Sequence, residues 1–125
     1  MKKYLCPLSL CLLGPLFLAG CQQRPAASIM PEQQIQQLSA LVAASDWLRD
    51  NCERRDIPAK PNLLTSAVKQ GEARGWKSTA STTQELSASV ERRYQAITED
   101  SMAKSEKCAT LNSAAAPFLA RVTSL

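Results

Sequence analysis

The sequence predicts an all-α protein: a small, four-helix, bundle-like domain with one disulfide, preceded by a lipoprotein signal peptide and a short tether. Three observations carry this. Four segments place apolar residues at three- and four-residue steps, the spacing of one helix face. Strand signals are missing, with neither a run of alternating β-branched residues nor an Asn-Gly or Asp-Gly hairpin turn. Finally, 125 residues with only 5% aromatics suit one small core.

The first helix is expected from Pro31 to about Cys52. Pro31 suits a first helical turn, and Glu32 complements the positive end of the helix dipole. Ile35, Leu38, Leu41, Val42, Leu48 and Cys52 form its apolar stripe, which Trp47 widens. Pro58 and Pro61 enforce a linker. A shorter helix opens near Pro61-Asn62, carries Leu63, Leu64, Ala67 and Val68, and stops by Gly75. Ser78 to Thr83 reads as a polar loop. The pattern Thr82-x-x-Glu85 then fits a capping box that opens a third helix with Leu86, Val90, Tyr94 and Ile97 on one face. After a break at Glu99–Ser101, the fourth helix carries Cys108, Leu111, Ala115, Phe118 and Val122. Pro117, which removes one backbone hydrogen bond, is expected to bend it.

The N-terminus reads as an address. Met1-Lys2-Lys3 is a basic start, and Tyr4 to Gly20 is apolar but interrupted by Pro7, Gly14 and Pro15. That is shorter than the roughly 20 apolar residues of a membrane-spanning helix and has the layout of a secretory signal peptide. Leu18-Ala19-Gly20-Cys21 resembles a bacterial lipobox, so cleavage before Cys21 and acylation of its sulfur are expected. An ordinary signal peptide or an uncleaved anchor is the alternative. Residue 22 is Gln rather than the Asp that retains bacterial lipoproteins at the inner membrane, which implies outer-membrane sorting. The chain thus divides into a signal peptide at 1–20, a lipidated cysteine and flexible tether at 21–30, and a helical domain at 31–125.

The five cysteines follow from this division. Cys6 and Cys11 leave with the signal peptide, and Cys21 takes the lipid. Cys52 and Cys108 remain, an even pair in an oxidising compartment, and they read as a disulfide tying the first helix to the last. A redox-active pair is the alternative, with neither CxxC spacing nor a histidine neighbour to favour it.

Catalysis finds little support. The chain has no histidine, which removes the commonest proton shuttle and metal ligand, and its four glycines form no phosphate-binding loop. A net charge of +4 is too mild to mark a nucleic-acid binder. Asp46 and Asp50 stand one turn apart. Arg49 with Glu53, and Asp50 with Arg54, at i,i+4 spacing point to a solvated ionic face rather than an acid/base pair or metal site. No metal and no cofactor is expected beyond the covalent lipid on Cys21.

Taken together these residues resemble the PulS/OutS-type pilotins of bacterial type II secretion. The likeness rests on the lipobox, on Leu41-Val42-Ala43-Ala44-Ser45-Asp46-Trp47-Leu48-Arg49-Asp50-Asn51-Cys52, on Ile57-Pro58, Gly75-Trp76 and Tyr94, and on Lys107-Cys108-Ala109 with Pro117-Phe118-Leu119. It spans about Leu38 to Val122. The resemblance implies a four-helix domain with a Cys52–Cys108 bond. The implied role is non-enzymatic: an outer-membrane lipoprotein, facing the periplasm, that binds the C-terminal segment of the secretin subunit. That segment folds as an amphipathic helix in a hydrophobic groove, and the lipoprotein sorting machinery carries the pair to the outer membrane, where the secretin channel assembles. Ile35, Leu38, Val42, Leu111, Phe118 and Leu119 are the candidate groove residues, on a domain expected to be monomeric. A small lipoprotein inhibitor, or a structural anchor with another protein partner, is the competing reading.

Overall fold

The computed structural model describes residues 31–122. The signal peptide, Cys21 and the tether lie outside the described residues. Four helices follow one another: α1 (Pro31–Asn51), α2 (Lys60–Ala73), α3 (Ala80–Glu99) and α4 (Lys104–Val122). Helix α1 is the hub, with its most extensive contacts to α3, then α4, then α2. The expected all-α architecture is present, and so is the disulfide: Cys52 and Cys108 are bonded at 2.06 Å, with Cα atoms 5.8 Å apart.

The hub role follows from the residues of α1. Val42, Ala43, Ala44, Trp47 and Leu48 are all buried, so more than one face of this helix is covered. Small residues let neighbours approach. Ser39 and Ser45 are fully buried, and their hydroxyls donate to the backbone carbonyls of Gln36 (3.0 Å) and Leu41 (2.7 Å). Ser89 of α3 donates back to the Ser39 oxygen at 3.0 Å. Each of these three hydroxyls thus has a partner, as burial requires. Leu63 and Ala67 of α2, Leu86 and Val90 of α3, and Ala115 of α4 complete the centre of the core.

Helix α2 starts at Lys60, with Pro61 in its first turn, and ends before Gly75 as the sequence suggests. Gly75 has φ +92°, a conformation that carries the chain out of the helix and favours glycine. Trp76 then folds back, its N–H donating to the Gly71 carbonyl at 3.0 Å. Its ring packs on Gly71 so closely that an added methyl there would stand 2.7 Å from Cε3.

The start of α3 corrects the sequence reading. The helix begins at Ala80, inside the stretch expected to be loop, and its N-cap is Thr79. The capping box pairs Thr79 with Thr82: the Thr82 N–H donates to Thr79 Oγ1 at 3.2 Å, and the Thr79 N–H donates to Thr82 Oγ1 at 2.7 Å. A threonine hydroxyl accepts this reciprocal bond as a glutamate would, so the frame sits three residues earlier than Thr82-x-x-Glu85. Helix α4 continues through Pro117 to Val122.

Candidate functional site

The ionic face of α1 differs from its expectation. Asp46 is buried at 5% exposure, and its side chain faces Lys60 of α2, with Nζ 3.8 Å away. Lys60 also bonds Glu91 of α3, so one ammonium joins three helices. Asp50 accepts from the Tyr94 hydroxyl at 2.8 Å, and Arg54 forms a two-bond pair with Asp56 at 2.9 Å. Neither expected i,i+4 pair forms: Arg49 lies 3.5 Å from Asp50, its neighbour in sequence, and Arg54 turns to Asp56. Burial and then the Asp50 charge raise the Asp46 carboxyl above its ordinary value, while Lys60 draws it back. Among the described residues, no three His, Cys, Asp or Glu side chains gather as a metal site needs.

Trp47 belongs to the core rather than to an open face. It is 5% exposed, and its indole N–H donates to Thr98 Oγ1 at 3.2 Å. Lys107 lies against it, with the ammonium 5.2 Å from the ring centroid. This lysine is buried, and two hydrogen bonds together with the ring contact account for that. Nζ donates to the Ile97 carbonyl at 2.7 Å and the Asp100 carbonyl at 2.9 Å, which closes the C-terminal end of α3. Sequence reading singled out Lys107 only as part of a family motif.

The six candidate groove residues separate in the fold. Ile35, Leu38, Val42 and Phe118 are core side chains at 5% exposure or less. Leu119 is also buried, at the edge of a hollow of about 280 Å³ rimmed by Arg54, Asp56 and Asn112. Leu111 alone of the six lines an open apolar groove, of about 390 Å³, between α1, α3 and α4. Helix α1 supplies Ala40, Leu41 and Ala44 to it, α3 supplies Ala96 and Ile97, and α4 supplies Leu111 and Ala114. Leu41, Ile97 and Leu111 are half-buried, each packed on the core from below and open above. The alanines keep the floor low enough for another helix to approach. Arg93 of α3 and Asp100, the C-cap of that helix, edge the groove. Leu41, Ile97 and Leu111 belong to the apolar stripes that periodicity marks but sit at their half-buried edge, which spacing alone does not separate from the fully buried positions.

The fold and groove define a disulfide-bridged helical module with an open apolar cleft of the sort that accepts an amphipathic helix. The family model for the type II secretion system pilotin lipoprotein (PulS_OutS) matches residues 17–120, and the chain belongs to that family. Pilotin OutS of Dickeya dadantii (strain 3937) is 37% identical over 113 residues, covering 83% of this chain and 84% of that protein. The pullulanase secretion protein PulS of Klebsiella pneumoniae is 30% identical over 112 residues, covering 86% and 88%. Among solved structures, a pilotin/secretin peptide complex contains a chain with TM-score 0.72 and 34% identity, covering 78% of this chain and all (100%) of that one. The Klebsiella pneumoniae type II secretion system outer membrane complex of PulD, PulS and PulC HR domain contains another, with TM-score 0.69 and 35% identity over 75% of this chain and 99% of that one.

Proposed function

We propose that this protein is a non-enzymatic docking lipoprotein. It holds the C-terminal segment of a secretin subunit as an amphipathic helix in the α1/α3/α4 groove and is attached to the outer membrane through lipid on Cys21. The observation that carries the docking reading is the groove itself, with Leu41, Ile97 and Leu111 presenting apolar surface over alanines. The solved pilotin/secretin peptide complex supports the choice of partner. A segment that folds as it docks gives up part of its interaction energy to ordering, which suits a carrier that must later release or assemble its cargo. The pilotin lipoprotein family and the Leu18-Ala19-Gly20-Cys21 sequence support the lipid anchor. Among the described residues, no helix is long and apolar enough to cross a membrane.

The test is titration of a fluorescent secretin C-terminal peptide. Ala96→Arg, at an exposed position on the groove wall, should weaken binding at least tenfold while leaving the melting temperature unchanged. Undiminished binding would remove the groove assignment. Fatty-acid labelling that persists in Cys21→Ser would remove the anchor.

A further inference from the structure

Two charges edge the groove, one on α3 and one at the residue that caps its C-terminal end. Arg93 and Asp100 are seven residues apart, two turns, or about 10 Å along the helix. They are opposite in sign, and among the described residues neither has an ion-pair partner. Both are nonetheless held in place. Arg93 Nη2 donates to Gln36 Oε1 of α1 at 3.3 Å, which leaves its other N–H groups free. Asp100 Oδ1 accepts the Met102 N–H at 2.8 Å, and its backbone carbonyl is fixed by Lys107, which leaves Oδ2 free. Met102, two residues beyond, is the exposed large apolar side chain of the described residues, at 39%. The floor between the two charges is apolar.

We infer that Arg93 and Asp100 are specificity-determining residues that read the charge pattern of the docked helix. The fitting occupant carries, beside its apolar face, an acidic side chain opposite Arg93 and a basic one about two turns away opposite Asp100. This deepens the secretin-docking reading and rests on it. An apolar groove alone accepts many amphipathic helices. A fixed pair of opposite charges disfavours those with like charges at both ends, which leave one end facing its own sign. The oriented, partly satisfied side chains lose little freedom on pairing, which favours a measurable effect at a solvated rim.

The experiment uses the full-length protein in detergent and four designed helical peptides with one common apolar face. Their two rim positions, seven residues apart, carry acid and base, two acids, two bases, or two glutamines. A fifth peptide, with acid and base exchanged, makes the comparison independent of which way the peptide runs, and the better-binding order of the two is the mixed peptide compared below. The unaltered protein should prefer the mixed peptide over either like-charged one by about two- to fivefold. Arg93→Glu should move the preference to the two-base peptide, and Asp100→Lys to the two-acid peptide. The differences should shrink in 1 M salt, where screening acts within about 3 Å. The same ranking for all three proteins overturns the inference. If that occurs while the secretin peptide still binds and Ala96→Arg still blocks it, docking stands and only the charge reading falls. If neither the secretin peptide nor any designed peptide binds, both fall.

Discussion

Removing the ammonium of Lys107 tests how the end of α3 is held. In Lys107→Met the aliphatic stem keeps most of its packing, but the bonds to the Ile97 and Asp100 carbonyls and the contact with the Trp47 ring are lost. A hydrogen bond from a charged donor contributes about 1.5–3 kcal/mol, and a cation over a tryptophan face about 2 kcal/mol when both are buried, as here. Against these losses, methionine spares the desolvation of a buried ammonium, which is several kcal/mol. The Asp100 end is solvent-exposed, so its freed carbonyl recovers water. The balance is a destabilisation of about 2 kcal/mol, or roughly 10 °C in melting temperature for a domain of this size. Urea unfolding followed by tryptophan fluorescence measures it. Trp47→Leu should cost less in the Lys107→Met background than in the parent, because the two residues share one contact. A midpoint shift worth under about 0.5 kcal/mol would refute the cap, and strict additivity of the pair would refute the ring contact.

Other perturbations have equally definite outcomes. Replacing both Cys52 and Cys108 by serine opens a loop of 56-residue separation; the chain-entropy model gives about 4 kcal/mol, so chemical denaturation should show a loss of roughly 2–4 kcal/mol. Gly71→Ala and Gly75→Ala should each destabilise by about 1 kcal/mol for different reasons, a methyl against the Trp76 ring in the first and a left-handed φ in the second. Only Gly71→Ala should therefore alter the near-UV circular dichroism of tryptophan. Asp46→Asn should hold or raise stability at neutral pH. The folded-state carboxyl titrates above its unfolded value, so the parent gains stability as pH falls through the raised value and has that gain in full below about 4. The advantage of the asparagine should accordingly shrink on acidification, as measured by melting between pH 7 and pH 3.5.

The helices were legible because prolines, a glycine and apolar spacing mark them directly: Pro31 opens α1, Gly75 follows α2, and Leu86, Val90, Tyr94 and Ile97 trace one side of α3. The disulfide was legible from compartment and parity. The start of α3 was not, because two threonine-led frames compete there and the choice depends on a hydroxyl replacing a carboxylate. The groove was the least legible part. Ile35, Leu38 and Val42 satisfy the spacing rule best, and for that reason they are inside. A docking surface needs half-buried residues such as Leu41 and Ile97 beside small ones such as Ala96 and Ala114, and a single sequence does not distinguish these from ordinary surface alanines. Asp46 likewise reads as solvated until the fold brings Lys60 beside it.

The position of α1 as hub also has a mechanical meaning. A pull on the chain ahead of Pro31 enters α1 at its first turn. Ala40, Leu41 and Ala44 are on that same helix, about 13–20 Å further along. Load between the leading segment and anything seated in the groove therefore runs down one continuous helix. Cys52, just past the far end of α1, passes strain across its sulfur bridge to α4, the helix that carries Leu111. Helix α2 lies to the side of this line, so tension reaches the cargo without first prying apart the α1/α2 contact.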